Sequence, residues 1–183
     1  TSESRDLTLV LTTNYKALVY EEIERIVTQH PGQKIFVALN SVADIMDIAD
    51  QLEKEKTAKP EDIRVLCSSS SRSKVRSRFS KIDNEKLPGL INFVTSAYFT
   101  GFDLMESYHL IAAIFAGSKT MEISEMRYKQ IAGRCRTKLL SETIIYQAEG
   151  KSLGLSYDFF KHFIYFIIHI FFIFHVMPPL LPI

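Results

Sequence analysis

The chain has 183 residues, enough for one domain, or one domain with an appendage, and for a complete hydrophobic core. Its 22 basic and 21 acidic side chains give a net charge of +1, which excludes an acidic tail protein and a uniformly basic nucleic-acid packer but leaves room for a local basic patch. Two cysteines, Cys67 and Cys135, exclude a disulfide framework and a zinc site of the paired C-x-x-C kind. We therefore expect free thiols in a reducing compartment, the cytoplasm, and no metal site.

Apolar periodicity predicts alternating helices and short strands through the first 150 residues. In chain order the predicted elements are helix Tyr15–Gln29, strand Lys34–Leu39, helix Val42–Lys56, strand Ile63–Cys67, helix Arg72–Ile82, strand Leu90–Ala97, strand His109–Phe115, helix Ile123–Arg136 and strand Glu142–Gln147. Ser41 can cap the second helix. The alternation is typical of an α/β fold in which helices cover both faces of a mainly parallel sheet. Because such sheets bind ligands at the carboxyl ends of their strands, the loops that follow the strands are the candidate site.

The composition changes sharply near residue 150. Seven of the 13 Phe lie between Phe159 and Phe174, and no Gly follows Gly154. We therefore predict three segments, a domain over residues 1–150, a linker over 151–157 and an apolar tail over 158–183. The chain begins with Thr rather than Met, so we expect it to be a piece of a longer protein.

The apolar tail has three interpretations. Residues 163–183 contain no Asp, Glu, Lys or Arg, and about 20 apolar residues suffice to span a bilayer. Three Pro near the end and two His within this stretch count against a membrane anchor, which is possible but not favoured. The favoured interpretation is AT-rich DNA translated past a frameshift, since such codons encode Phe, Ile, Tyr, His and Lys. The third is a helix packed on the domain.

The loop after the third strand carries residues that suit a nucleotide. Thr95–Asp103 has the spacing Thr, five residues, Gly, one residue, Asp. Gly101 would let the backbone approach a ligand closely. Thr95 can hydrogen-bond a phosphate, and Asp103 can accept a hydrogen bond from a ribose hydroxyl or hold an Arg. The alternative is an ordinary turn in which Asp103 acts as a cap.

The segment Gln130–Arg136 suits phosphate. Gly133 falls inside the predicted helix, where Gly costs about 1 kcal/mol relative to Ala, and this indicates close approach of another backbone or a phosphate. The guanidinium forks of Arg134 and Arg136 match phosphate oxygens. The alternative is a solvated basic helix end, because cations are favourable at a helix C-terminus.

A third segment is strongly basic. Residues 63–82 contain six Lys or Arg and no Asp or Glu. On the predicted helix that begins at Arg72, the side chains of Lys74, Arg78 and Lys81 share one face. A local positive strip on a neutral protein is the pattern expected for contact with a nucleic-acid backbone. The alternative is a charged face that contacts only solvent.

The order of these segments resembles the second RecA-like domain of superfamily two helicases of the DEAD/DEAH type. Ile35–Ser41 looks like motif four, Thr95–Asp103 has the spacing of motif five, and Gln130–Arg134 looks like motif six, the arginine-finger helix. The resemblance covers roughly residues 7–148 and implies a three-layer RecA-like domain.

The resemblance also implies residue roles. Arg134 and Arg136 would stabilise the γ-phosphate of ATP as arginine fingers. The ATP cleft would be formed with Gly101, Asp103, Gln130 and Gly133. DNA or RNA would be contacted by Asn40, Ser41, Arg72, Lys74, Arg78, Lys81, Thr95 and Ser96.

Two departures from the family pattern affect these roles. In the family, the second Arg of motif six usually follows the first by three residues, whereas Arg136 follows Arg134 by two and Thr137 occupies the usual position. Arg134 is therefore the safer finger. A basic residue often precedes the motif-five Gly, and here that residue is Thr100.

The family binds ATP and Mg²⁺ mainly through a first RecA-like domain with a Walker-A loop. Gly150–Ser152 resembles only half of that loop, because the pattern needs Gly at position 145, which is Ile145. The resemblance therefore implies the C-terminal motor domain of an ATP-dependent helicase or translocase, which binds no cofactor alone and is inactive without its N-terminal RecA-like partner. The alternative is a non-catalytic α/β interaction module, tethered to a membrane by its tail. DNA versus RNA, direction of movement and pathway stay open.

Overall fold

The structure, a computed structural model, describes residues 7–99, 101–115 and 125–147. The strands among them are β1 (Leu7–Thr12), β2 (Ile35–Ala38), β3 (Ile63–Leu66), β4 (Ile91–Val94), β5 (Tyr108–Phe115) and β6 (Leu139–Gln147). The α-helices are α1 (Tyr15–Gln29), α2 (Val42–Lys54), α3 (Arg72–Val75) and α4 (Glu125–Ala132). The predicted linker, the apolar tail and Gly150–Ser152 lie outside the described residues.

The strands form a six-stranded sheet in the order β1-β6-β5-β2-β4-β3, and every pairing in it is parallel. The predicted α/β class with a mainly parallel sheet is therefore confirmed. Each predicted strand appears at its expected place, with ends that differ by a few residues.

Helices cover both faces of this sheet. Glu142 and Thr143 are neighbours in β6, so their side chains point to opposite faces. Thr143 donates a hydrogen bond to Glu22 of α1 at 2.7 Å, whereas Tyr128 of α4 donates to Glu142 at 3.0 Å. Helix α1 therefore lies on one face and α4 on the other, which confirms the predicted three layers.

The main core lies between the sheet and the two longer helices. Apolar residues recur at helical spacing in α1 and α2 and are almost completely buried, among them Val19, Ile23, Ile26, Ile45, Ile48 and Leu52. Both helices begin at a capped residue: Asn14 Oδ1 accepts a hydrogen bond from the Ala17 N–H at 3.3 Å, and Ser41 Oγ accepts one from the Asp44 N–H at 3.2 Å. The predicted Ser41 cap is confirmed.

Strand β1 is an element that the sequence analysis missed. Leu7–Thr12 pairs along its whole length with β6, Leu7 opposite Glu142 and Thr12 opposite Gln147. Leu7 and Leu11 are 37% and 39% exposed. A short, partly exposed strand gains its stability from a partner distant in sequence, so its own residues give a weak signal.

The predicted helix Arg72–Ile82 begins at the predicted residue but is wrong beyond Val75. Helix α3 ends at Val75 because Arg76 adopts φ 54° and ψ −132°, outside the helical region. A 3₁₀ turn follows at Arg76–Arg78, and Phe79 then forms a bridge with β3 in which the Ser80 N–H donates to the Val65 carbonyl at 3.0 Å. Pairing with the sheet edge thus replaces the helical pattern, and the shared basic face predicted for this helix does not exist.

The predicted helix Ile123–Arg136 is too long at its C-terminal end. Helix α4 ends at Ala132, so Gly133 follows the helix instead of interrupting it. The Gly133 N–H still donates to the Lys129 carbonyl at 2.9 Å, and a Cβ at Gly133 would lie 3.1 Å from that oxygen. The prediction of Gly133 inside a helix is therefore wrong. Among the helices that the structure describes, none is long and apolar enough to cross a membrane.

Candidate functional site

The two loops that carry the motif-like residues are joined to each other. The Leu104 N–H donates to the Arg134 carbonyl, and the Arg136 N–H donates to the Leu104 carbonyl, both at 2.9 Å. These two bonds place Gly101–Asp103 beside Arg134 and Arg136, although more than 25 residues separate them in the chain. Gly101 has φ 89°, and no described atom lies within 4 Å of a Cβ placed there. Its requirement for Gly is therefore conformational.

Asp103 lies against both arginines. Its Oδ1 is 2.8 Å from Arg136 Nη2 and 3.8 Å from Arg134 Nη1. Asp103 Oδ1 is buried and accepts no hydrogen bond from a described residue. The closer contact, with Arg136, is therefore an ion pair whose atoms are not aligned as a hydrogen bond requires. Arg134 Nη1 instead donates to the Phe102 carbonyl at 3.1 Å, and its guanidinium lies 5.9 Å from the centre of the Phe102 ring.

Both guanidinium groups keep N–H donors that no described residue engages. Arg134 Nε is buried and has no hydrogen-bond partner among the described residues. The side chains of Arg134 and Arg136 are 21% and 52% exposed. An arginine carries five N–H donors, so the contacts with Phe102 and Asp103 leave donors for an anion.

The arginines open onto a cavity of about 460 Å³, lined by Ile82, Glu85, Gly101, Phe102, Asp103, Arg134 and Arg136. Glu85 is a lining residue that the sequence analysis missed. It follows Asn84 in a tight turn where both residues have positive φ, 49° and 56°, and its carbonyl accepts from the Met105 N–H at 2.9 Å. The Asp83-Asn84 pair indicates a turn in the sequence, but no sequence signal places that turn beside the arginines.

The other two predicted cleft residues are Gln130 and Gly133. Gln130 is half-buried on α4, and Gly133 is exposed just after that helix. Neither belongs to the described lining of the cavity. Their roles in an ATP cleft stay predictions.

The candidate residues after β2 and β4 hold loops together. Asn40 Oδ1 accepts a hydrogen bond from the Ser96 N–H at 2.8 Å, which links the loop after β2 to the loop after β4. Thr95 is 7% exposed, and its hydroxyl donates to the Leu66 carbonyl at the end of β3 at 3.4 Å. Ser41 caps α2. These four residues lie at the carboxyl edge of the sheet, as predicted, and their contact with nucleic acid stays a prediction.

The basic segment, defined here as residues 72–81, differs from the predicted strip. Arg78 is 8% exposed and forms ion pairs with Asp50 and Glu53 of α2, so its side chain does not point to solvent. The other cations of the segment are exposed: Arg72, Lys74, Arg76 and Lys81.

The two cysteines are free, as expected. Cys67 is buried at the end of β3, and burial raises the pKa of its thiol. Cys135, which lies between Arg134 and Arg136 in the sequence, is half-buried. Within the described residues, no group of three His, Cys, Asp or Glu side chains is arranged to hold a metal ion.

No family model matches this chain, and no curated protein matches it. Solved structures do match, 27 chains in all. One of them is the Mss116p DEAD-box helicase domain 2 bound to an RNA duplex, with a TM-score of 0.50 and 14% sequence identity. The match covers 79% of this chain and 55% of that chain, so this chain spans about half the length of its neighbour. At this identity the likeness shows the fold, which is a RecA-like α/β arrangement.

Proposed function

We propose that this chain is the second RecA-like domain of an ATP-dependent helicase or translocase. The observation that carries the proposal is the junction of the Gly101–Asp103 loop with the Arg134–Arg136 segment, because it directs two arginines into one cavity of a RecA-like domain. The resemblance of these two segments to motifs five and six supports it, as does the fold likeness to a helicase domain.

In this proposal the arginines act on the terminal phosphate of a nucleotide. Arg134 lines the cavity and matches the first Arg of motif six, so it is the principal finger. Arg136 is more exposed and adds a second positive charge. Asp103 keeps the site from carrying two uncompensated positive charges. An arginine finger is worth about 10³–10⁵ in turnover, because it neutralises charge that develops in the transition state.

The proposed partner domain supplies what this chain lacks. ATP binding requires a phosphate loop, and the Mg²⁺ ligands belong in the proposal to the same first RecA-like domain. This chain alone would fold but hydrolyse no ATP. We place the assembled enzyme in the cytoplasm, where the free thiols of Cys67 and Cys135 persist.

The proposed nucleic-acid surface combines two regions. The loops at the carboxyl edge of the sheet carry Asn40, Ser41, Thr95 and Ser96, and the basic segment carries exposed cations. Cations that neutralise phosphates bind every sequence alike, whereas backbone and hydroxyl groups fix the path of the strand. The structural neighbour is bound to an RNA duplex, and we extend nucleic-acid binding to this chain as part of the proposal.

The test measures ATP hydrolysis by the two-domain protein, in which a first RecA-like domain precedes this chain, with and without single-stranded RNA or DNA. Arg134→Ala should lower kcat by about 10³ or more and change the nucleotide KM little. The matched control is Arg25→Ala, since Arg25 is an exposed cation of α1 and does not line the cavity.

Three results would count against the proposal. Turnover of Arg134→Ala within about tenfold of the wild type would show that Arg134 is not the finger. An equal loss of kcat in Arg25→Ala would show that the loss in Arg134→Ala is not specific to the cavity. A wild-type two-domain protein that hydrolyses no ATP, with or without nucleic acid, would favour the non-catalytic interaction module.

A further inference from the structure

The most deeply buried cation of the basic segment is held by two carboxylates. Arg78 Nη2 lies 2.7 Å from Asp50 Oδ1 and 2.6 Å from Glu53 Oε1, and Arg78 Nε donates to the same Glu53 oxygen at 3.1 Å. Arg78 Nη1 lies 3.8 Å from the Met46 sulfur. These partners all belong to α2, one face of which is anchored in the main core.

The residues around Arg78 attach the segment at a second point. Phe79 pairs with the edge of β3, and the Arg72 guanidinium lies 5.1 Å from the centre of the Phe79 ring. Between these contacts, Arg76 has φ 54°, a conformation that a non-Gly residue keeps only when its surroundings hold it. The segment is therefore fixed by Arg78 and Phe79, while Arg72, Lys74, Arg76 and Lys81 remain exposed.

We propose that Arg78 is a positioning residue for nucleic-acid binding: its ion pairs with Asp50 and Glu53 fix the basic segment on α2 so that the exposed cations face a phosphate backbone. This inference rests on the proposed function. Arg78 does not itself contact phosphate, since doing so would leave Asp50 and Glu53 without their cation. A segment that is ordered before binding loses less conformational entropy when the strand binds, and this raises affinity without adding a contact.

The experiment separates a positioning role from a direct contact. Binding of a labelled single-stranded RNA is measured at several salt concentrations for the full chain and its variants. Each phosphate contact contributes about −0.7 to the salt slope on single strands. Arg78→Met should weaken binding by about fivefold or more and leave the slope unchanged, because the number of phosphate contacts stays the same. Arg25→Met, which removes an exposed cation of α1 outside the basic segment, should bind as the wild type does.

A charge exchange tests the pairing itself. The double variant Arg78→Glu with Glu53→Arg restores one ion pair in the opposite sense, and it should recover most of the affinity lost in Arg78→Glu alone. A direct phosphate contact by Arg78 predicts the opposite, no recovery and a slope smaller by about 0.7 in Arg78→Met. Unchanged affinity in Arg78→Met would also overturn the proposal.

Hydrogen exchange gives a readout that does not depend on nucleic acid. The Ser80 N–H is bonded to Val65, two residues after Arg78, and should exchange faster in Arg78→Met and recover in the charge exchange. If the Ser80 N–H exchanges at the same rate in Arg78→Met as in the wild type, Arg78 does not hold the basic segment in place, whatever the binding measurements give. A wild-type chain that binds no strand would refute the proposed function, and with it the positioning role, even if exchange responds. If Arg78→Met does not fold, Arg78→Lys replaces it, with the same outcomes at smaller amplitude.

Discussion

Mild acid should destabilise this protein through His109. This residue lies in β5 and is 3% exposed. Its Nδ1 is 2.7 Å from Ser141 Oγ, its Nε2 is 2.7 Å from Gln33 Oε1, and its ring centre is 5.1 Å from that of His30. Burial, with the charge of His30 as a second cause, lowers the pKa of His109 from 6.5 to about 4. The folded protein therefore keeps His109 neutral at a pH where the unfolded chain takes up a proton.

The sign and size of the effect follow from that difference in pKa. Above pH 7 both states are neutral at His109 and the residue adds no pH dependence. As the pH falls below 6.5 the unfolded state is protonated first, so the free energy of unfolding decreases by up to about 1.4 kcal/mol per pH unit until the folded state also binds the proton near pH 4. Between pH 7.5 and pH 5.0 the expected loss is about 2 kcal/mol. Ordinary carboxylates titrate near pH 4, so this window reports mainly on histidine.

Urea unfolding followed by circular dichroism at pH 7.5 and pH 5.0 measures this loss. His109→Gln keeps a donor and an acceptor but cannot be protonated, so its stability should change little between the two pH values, although it starts lower at pH 7.5. His30→Gln is the matched control and should keep most of the wild-type loss, because its own role is secondary. If the free energy of unfolding of His109→Gln also falls by about 2 kcal/mol between pH 7.5 and pH 5.0, as in the wild type, the reasoning is refuted.

Three further perturbations have defined outcomes. Gly101→Ala should lower the free energy of unfolding by about 1–2 kcal/mol in urea titrations, since φ 89° disfavours any side chain even where space is open; an unchanged midpoint would show that the loop relaxes without cost. Ser41→Ala removes the α2 cap and should cost about 1 kcal/mol in the same assay, and a loss below a few tenths would mean that water replaces the hydroxyl. Replacing Lys74 and Lys81 together by Ala should flatten the salt slope of RNA binding by about 1.4 at unchanged thermal stability, whereas an unchanged slope would mean that these lysines contact only solvent.

The sequence by itself determined the elements that depend on local patterns, that is, on residues close together in the chain. Helices α1 and α2 repeat apolar residues at helical spacing, and Ser41 gives the start of α2 through a local hydrogen bond. The buried strands appear as short apolar runs, and their alternation with helices gives the parallel α/β class. The spacing within Thr95–Asp103 and Gln130–Arg136 singled out Asp103, Arg134 and Arg136, and the structure places these three side chains at one cavity.

Only the tertiary structure decided what depends on partners distant in the chain. Leu7–Thr12 is a strand because β6 offers it an edge, and Arg78 is buried because Asp50 and Glu53 on α2 compensate its charge. The helical pattern after Val75 yields to pairing with β3, since a bridge to the sheet edge and a buried ion pair outweigh local propensity. The same applies to the cavity, where two hydrogen bonds at Leu104 bring the arginines to Asp103. The local sequence supplies residues that are able to make these contacts. Which residue each of them contacts is decided only when distant parts of the chain come together in the fold.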